Sequence, residues 1–174
     1  LGDWLRAHEN SKGVYSIVGF ELDHTLSESG SVSRGICAYD KEQHLTDIVE
    51  HLNIAREADG KVYGDNSLTG ETHVELVADN LCSMNMWGFT PDYFEKSEKI
   101  FESFLEQNIN ELKKEFYIPY AIDCMIKSGE AQTDVLSTPS HWFGVTYKED
   151  RPAVVAKFQE FADKGVYPSP LYTK

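Results

Sequence analysis

"GVYSIVGFEL", residues 13–22, is the stretch on which the fold turns. It is almost unbroken apolar sequence with β-branched residues at Val14, Ile17 and Val18. A half-exposed strand would alternate apolar and polar positions. This run does not, so it reads as a strand covered on both faces, which requires helices packed on the sheet.

The chain on either side agrees. Upstream, "LGDWLRAHENSKG" places Leu1, Trp4 and Leu5 at helical spacing, with Gly13 where a C-terminal cap belongs. It lacks a starting Met and an N-cap, so the expectation is a chain that opens inside a helix of a larger fold. Downstream, "DHTLSESGSVS" is turn-rich and reads as a loop. Residues 34–54 read as two strands joined by a polar turn at Asp40–Gln43, a hairpin. Residues 56–72 read as an irregular excursion, "HVELVADN" as an edge strand and "LCSMNMWGF" (81–89) as a buried strand.

A helix is expected from Thr90 as cap and Pro91 as first helical residue, with Phe94, Ser97, Phe101, Phe104 and Leu105 on its inner face. A second runs from about Asn110 to Phe116. A third runs from Pro119 to Gly129 with Ile122, Met125 and Ile126 inward. "AQTDVL" and residues 142–147 read as strands. Asp150 is the expected cap of a last helix carrying Val154, Phe158 and Phe161 on one face, with Lys164 and Gly165 at its end. Alternating strands and helices define an α/β class with a partly parallel, mixed sheet in one domain, residues 1–174.

Composition narrows the functional classes. Sixteen basic against twenty-nine acidic side chains leave a net charge of −13. Duplex binding needs clustered Lys and Arg, so a nucleic-acid partner is not expected. No apolar run approaches the roughly 18 residues of a membrane span, and no signal-peptide pattern is present. Three scattered cysteines without a CxxC pair fit a reducing cytoplasm.

The common catalytic signatures are missing: no Walker loop, GxGxxG, HExxH or GxSxG. The six histidines are dispersed, and "DGKVYGDNSLTGE" departs from the calcium-loop pattern. A few polar residues stand out. Asn85 interrupts a strand expected to be buried; it either satisfies a loop backbone or faces a polar ligand. Glu50 ends its strand, as an exposed carboxylate or as an acceptor for the hydroxyls of a sugar-like ligand. Arg34 opens a strand and is either a surface ion pair or a two-pronged phosphate clamp. Lys148 stands at a strand end before a helix N-terminus, where ligands of open α/β sheets sit; it is a solvated turn lysine or a phosphate contact. Glu115 fits helix capping.

"VSRGICAYD…LTDIVEHLNI", "SMNMWGFTPDYF", "KKEFYIPYAIDCMI" and "HWFGVTYKEDRPAVV" occur in this order. Together with the closing "GVYPSPL" they resemble the C-terminal half of a bacterial nucleotidyltransferase family related to the sugar-1-phosphate nucleotidylyltransferases, the NDP-sugar pyrophosphorylases. The resemblance implies a Rossmann-like, glycosyltransferase-A-type fold. It implies transfer of a nucleotidyl group from an NTP to a sugar 1-phosphate, with magnesium as cofactor and pyrophosphate released.

Carried over residue by residue, Glu50 matches the glutamate that contacts the sugar, with His51 in place of the family's lysine. Asn85 falls in the strand lining the sugar pocket. Gly144 falls near the family's metal-binding Asp, so no metal ligand is carried over and no catalytic residue is assigned. The expected substrate-binding set is therefore Glu50 and Asn85 for sugar hydroxyls, and Arg34 and Lys148 for phosphate. The family's glycine-rich phosphate loop and its magnesium Asp belong to an N-terminal half, and neither motif is in this sequence. The expectation is a sugar-phosphate-side portion, inactive alone and able to form a homo-oligomer. The alternative is a non-catalytic ligand-binding or oligomerisation module of the same fold.

Overall fold

The computed structural model describes residues 1–27, 30–145, 148–168 and 170. They form two compact units, Leu1–Ser140 and His141–Lys174.

The first unit is α/β. It opens with helix α1 (Gly2–Ala7) and continues into strands β1 (Val14–Glu21), β2 (Val32–Tyr39), β3 (Leu45–Arg56), β4 (Val62–Asn66), β5 (Val74–Leu76) and β6 (Leu81–Gly88). Helices α2 (Asp92–Asn108) and α3 (Ile118–Lys127) follow, then strand β7 (Gln132–Thr138). The seven strands make one mixed sheet in the order β5-β4-β3-β2-β6-β1-β7. Only β1 and β7 are parallel; the other described pairings are antiparallel.

The decisive apolar run is β1. Tyr15, Ser16, Ile17 and Val18 are all buried, with β6 on one side and β7 on the other. On one face, Tyr15, Ile17, Cys37, Leu45, Leu81 and Val135 pack against Ala121, Ile122 and Met125 of α3 and Tyr93 of α2. On the other face, Leu22, Ile54, Val62, Leu76 and Cys82 form a second cluster. At the α1 end of that face, Trp4 donates to Asp134 Oδ2 at 2.9 Å. The β2–β3 turn reaches across to β7: the Val135 N–H donates to the Gln43 carbonyl at 2.8 Å, and His44 bridges Asp134. The sheet therefore bends around α3.

Local chemistry explains the element ends. Asp40 Oδ1 accepts the N–H groups of Glu42 and His44 and so builds the hairpin turn, with Gln43 at φ 66. Pro119 stands in the first turn of α3, and Gly129 at φ 74 ends it.

Several expectations need correction. The excursion at 56–72 contains β4. Gly13 is left-handed (φ 66), but α1 has already ended at Ala7; the glycine is needed because a Cβ there would come within 2.7 Å of the Glu130 carbonyl. Pro91 takes the N-cap position of α2, and the Thr90 hydroxyl donates to Asp92 Oδ1 instead. The buried residue of α2 is Tyr93, with Ile100 packed beside it against the core, so Phe94 is 71% exposed. No helix forms at 110–116, where Leu112 is fully exposed.

The second unit holds a 3-10 turn at Lys148–Asp150 and helix α4 (Arg151–Asp163). Asp150 takes the N-cap position with helical dihedrals (φ −70, ψ −26), not the extended ones of a capping side chain. Phe143 packs on Phe158 and Phe161, and Tyr167 closes on the same two rings. Gly165 at φ 71 ends the helix region. Residues 141–145 are not strand: Trp142 and Val145 are exposed, and the apolar run there supplies side chains to the α4 cluster. Thr146 and Tyr147, the end of that expected strand, lie outside the described residues, as do Glu28 and Ser29 of the expected loop.

Candidate functional site

The pairing of β2 with β3 sets the site. Gly35 lies opposite Glu50, and Arg34 opposite His51. Glu50 therefore rises on the face that carries α3, beside Ile48. On the other side of β2, Gly35 pairs with Ser83 of β6. A Cβ built on Gly35 would lie 2.6 Å from Ile48 Cγ2, 3.6 Å from Glu50 Oε2 and 3.7 Å from Ser83 Cβ. Gly35 is thus buried under Ile48, and Glu50 and Ser83 flank this patch of β2 on one surface.

Ser83 links this patch to Asn85, whose backbone N–H donates to Ser83 Oγ at 3.2 Å. Asn85 has φ 55, at an irregularity where the β1–β6 register shifts between Ile17 and Gly19. An extra-residue bulge of this kind breaks the ladder and turns a residue out of the sheet. Asn85 is exposed accordingly, not buried as its apolar neighbours suggested. The structure thus brings Glu50 and the Asn85 turn to the same part of the sheet.

The sequence reading passed over Tyr117. Its phenol is raised, first by hydrogen bonding to Glu115 and then by the Glu115 and Glu50 charges. Glu115 therefore serves the side chain of Tyr117, the N-cap residue of α3, which itself makes no side-chain capping bond. Partial burial raises the Glu50 carboxyl above the usual carboxylate range, and the charges of Arg34 and His51 pull it back. The residue's surface as a whole is exposed; what matters is the carboxyl, crowded by β2 and its neighbours. Next to Glu50, between β3 and α3, lies a cavity of about 350 Å³. Its floor is Leu45, Ile48, Ile122 and Ile126, and Ser67, Tyr120 and Asp123 are among its polar walls.

Arg34 projects to the opposite face. Its Nε donates to Thr25 Oγ1 at 3.1 Å and Nη2 to the Thr25 carbonyl at 2.7 Å, while Nη1 reaches the Ser33 carbonyl at 2.8 Å. The two-pronged grip expected on a phosphate is here a grip on Thr25, which is buried. Lys148 is exposed in the second unit. Among the described residues, no group of three or more His, Cys, Asp and Glu side chains is arranged to hold a metal ion. No helix of the described residues is long and apolar enough to cross a membrane.

The arrangement can accept hydrogen bonds through Glu50, accept and donate through the Asn85 amide, and offer the Tyr117 phenol within reach of the Glu50 charge. No family model matches the chain, and no curated protein matches it significantly.

Proposed function

We propose that these residues form the sugar-phosphate side of a nucleotidyltransferase related to the sugar-1-phosphate nucleotidylyltransferases, built on a Rossmann-like, glycosyltransferase-A-type fold. The observation that carries this reading is the placement of Glu50 and the Ser83–Asn85 turn on either side of Gly35. The sequence resemblance places a sugar contact at Glu50, and Asn85 falls in the strand that would line the pocket.

In the reaction, a phosphate oxygen of the sugar 1-phosphate attacks the α-phosphorus of an NTP. The new O–P bond forms as the bond to pyrophosphate breaks, and pyrophosphate leaves with the electron pair. This chain binds and orients: Glu50 accepts hydrogen bonds from sugar hydroxyls, and Asn85 bridges neighbouring hydroxyls. Such positioning lowers the barrier by removing translational and rotational freedom beforehand. Magnesium would neutralise phosphate charge in such a transfer. Its ligands and the phosphate loop fall to an adjoining nucleotide-binding half, so this chain alone does not turn over.

In the protein joined to that half, pyrophosphate release from an NTP should require an added sugar 1-phosphate. Glu50→Ala and Asn85→Ala should each lower kcat/KM at least tenfold. Full activity in both variants sinks the reading.

One feature favours a second reading, a non-catalytic module that assembles through an apolar surface. Phe94, Phe101, Leu105, Ile109 and Leu112 are all exposed. A melting temperature that rises with protein concentration but not with sugar phosphates would support it.

A further inference from the structure

We propose that Ser83 is a positioning residue of this site, acting on the ligand through Asn85. The inference rests on the reading of the Glu50 surface as the sugar-phosphate site.

Asn85 has a left-handed backbone (φ 55) inside a strand. Side-chain-bearing residues avoid that region, and a residue there persists only where its surroundings hold it. At this irregularity the described hydrogen bond that holds the turn is from the Asn85 N–H to Ser83 Oγ, at 3.2 Å. Ser83 is itself fixed from below, paired with Gly35 across β2 and β6. The Ser83 hydroxyl thus transmits the register of the sheet to the point where the Asn85 side chain leaves β6, with β2 between it and Glu50 on β3. Moving this turn moves the amide relative to the carboxylate while both side chains remain intact. The hydroxyl also keeps its own proton to donate, because it is the acceptor in the bond to Asn85.

The test uses Ser83→Ala, Ser83→Thr, Asn85→Gly and the Ser83→Ala/Asn85→Gly double variant of the full 174-residue chain. Glycine is chosen at Asn85 because it adopts positive φ without strain. Two readouts are taken. The first is hydrogen exchange at the Asn85 amide without ligand. The second is the dissociation constant for a panel of α-glucose, α-galactose, α-mannose and α-N-acetylglucosamine 1-phosphates, with inorganic phosphate as control.

Ser83→Ala should speed exchange at the Asn85 amide at least tenfold and weaken binding of the preferred panel member about tenfold, and Ser83→Thr should restore both within about threefold. In the Asn85→Gly background, Ser83→Ala should add less than twofold to the loss, since residues acting as a unit are non-additive. Unchanged Asn85 exchange in Ser83→Ala overturns the proposal whether or not any ligand binds. So does an independent, additive loss in the double variant. If no panel member binds the wild-type chain more tightly than inorganic phosphate does, the site reading fails, and the positioning role falls with it. Wild-type binding that Ser83→Ala leaves unchanged removes only Ser83.

Discussion

Arg34 and Glu50 come from neighbouring strands, one residue out of step across the β2–β3 ladder, and leave the sheet on opposite faces. Each feels the other's charge through the sheet, yet their work differs. Arg34 holds Thr25 beside Cys82 of the second core cluster, whereas Glu50 stands beside Gly35 and Ile48 on the other face.

That division gives the first prediction. Arg34→Ala strips the Thr25 carbonyl and hydroxyl of a donor and should cost about 1–3 kcal/mol in urea unfolding. Glu50→Gln, an exposed change, should stay within about 0.5 kcal/mol while weakening sugar phosphate binding. Equal stability losses in the two variants would contradict the assignment.

Glu50 also sets a pH dependence. Burial raises its carboxyl, so the charged form is disfavoured in the folded state. Acceptor strength towards a sugar hydroxyl is present above the raised value and is lost as pH falls through it. Binding of a sugar 1-phosphate should therefore weaken from just above the ordinary carboxylate range downward. Glu50→Gln should flatten that part of the profile, seen by calorimetry across pH 4–7, a window set about the ordinary glutamate value.

Asp92 carries the opposite sign. Its Oδ2 accepts the Gly13 N–H at 2.7 Å, and Lys96 lies 3.1 Å away. Burial alone would raise its carboxyl, but the Thr90, Gly13 and Lys96 bonds outweigh it and lower the value. The resulting stability is complete above the ordinary aspartate value and drains away as pH falls through the lower folded-state value. Asp92→Ala should cost about 1–3 kcal/mol at neutral pH, and the gap to wild type should close in acid unfolding.

The phase of α2 is equally testable. Tyr93→Ala should cost about 3 kcal/mol, the usual penalty for a buried ring. Phe94→Ala, at an exposed position, should cost less than about 1 kcal/mol. Thermal melts that reverse this order would place the wrong face inward.

Much of the fold was legible where local pattern and tertiary environment agree. The unbroken apolar run of β1, the hairpin turn at Asp40 and the Pro119–Gly129 bounds of α3 are of this kind. The failures share a cause. The aromatic stripe of α2 looked inward because apolar periodicity says which residues share a face, not what covers it; packing of Tyr93 on Phe89 and Tyr15 decides the phase. Residues 142–145 looked like a strand, but Phe143 is used by α4. At the site, Glu50 could be singled out as a carboxylate, but not its place: it lies inside β3, which runs on to Arg56, and not at a strand end. Ser83 and Tyr117 could not, because a register shift and an interstrand glycine leave no mark in spacing. Arg34 misled because its partners, Thr25 and Ser33, are backbone and hydroxyl groups that no charge pattern reveals.

We propose that the Glu50–Asn85 surface holds a sugar phosphate. The most direct measurement is an amide-shift titration of the chain with the sugar 1-phosphate panel. Saturable shifts centred on Gly35, Glu50, Ser83, Asn85 and Tyr117, absent in Glu50→Ala, are the predicted result. Shifts centred elsewhere, or none at any ligand concentration, would contradict it.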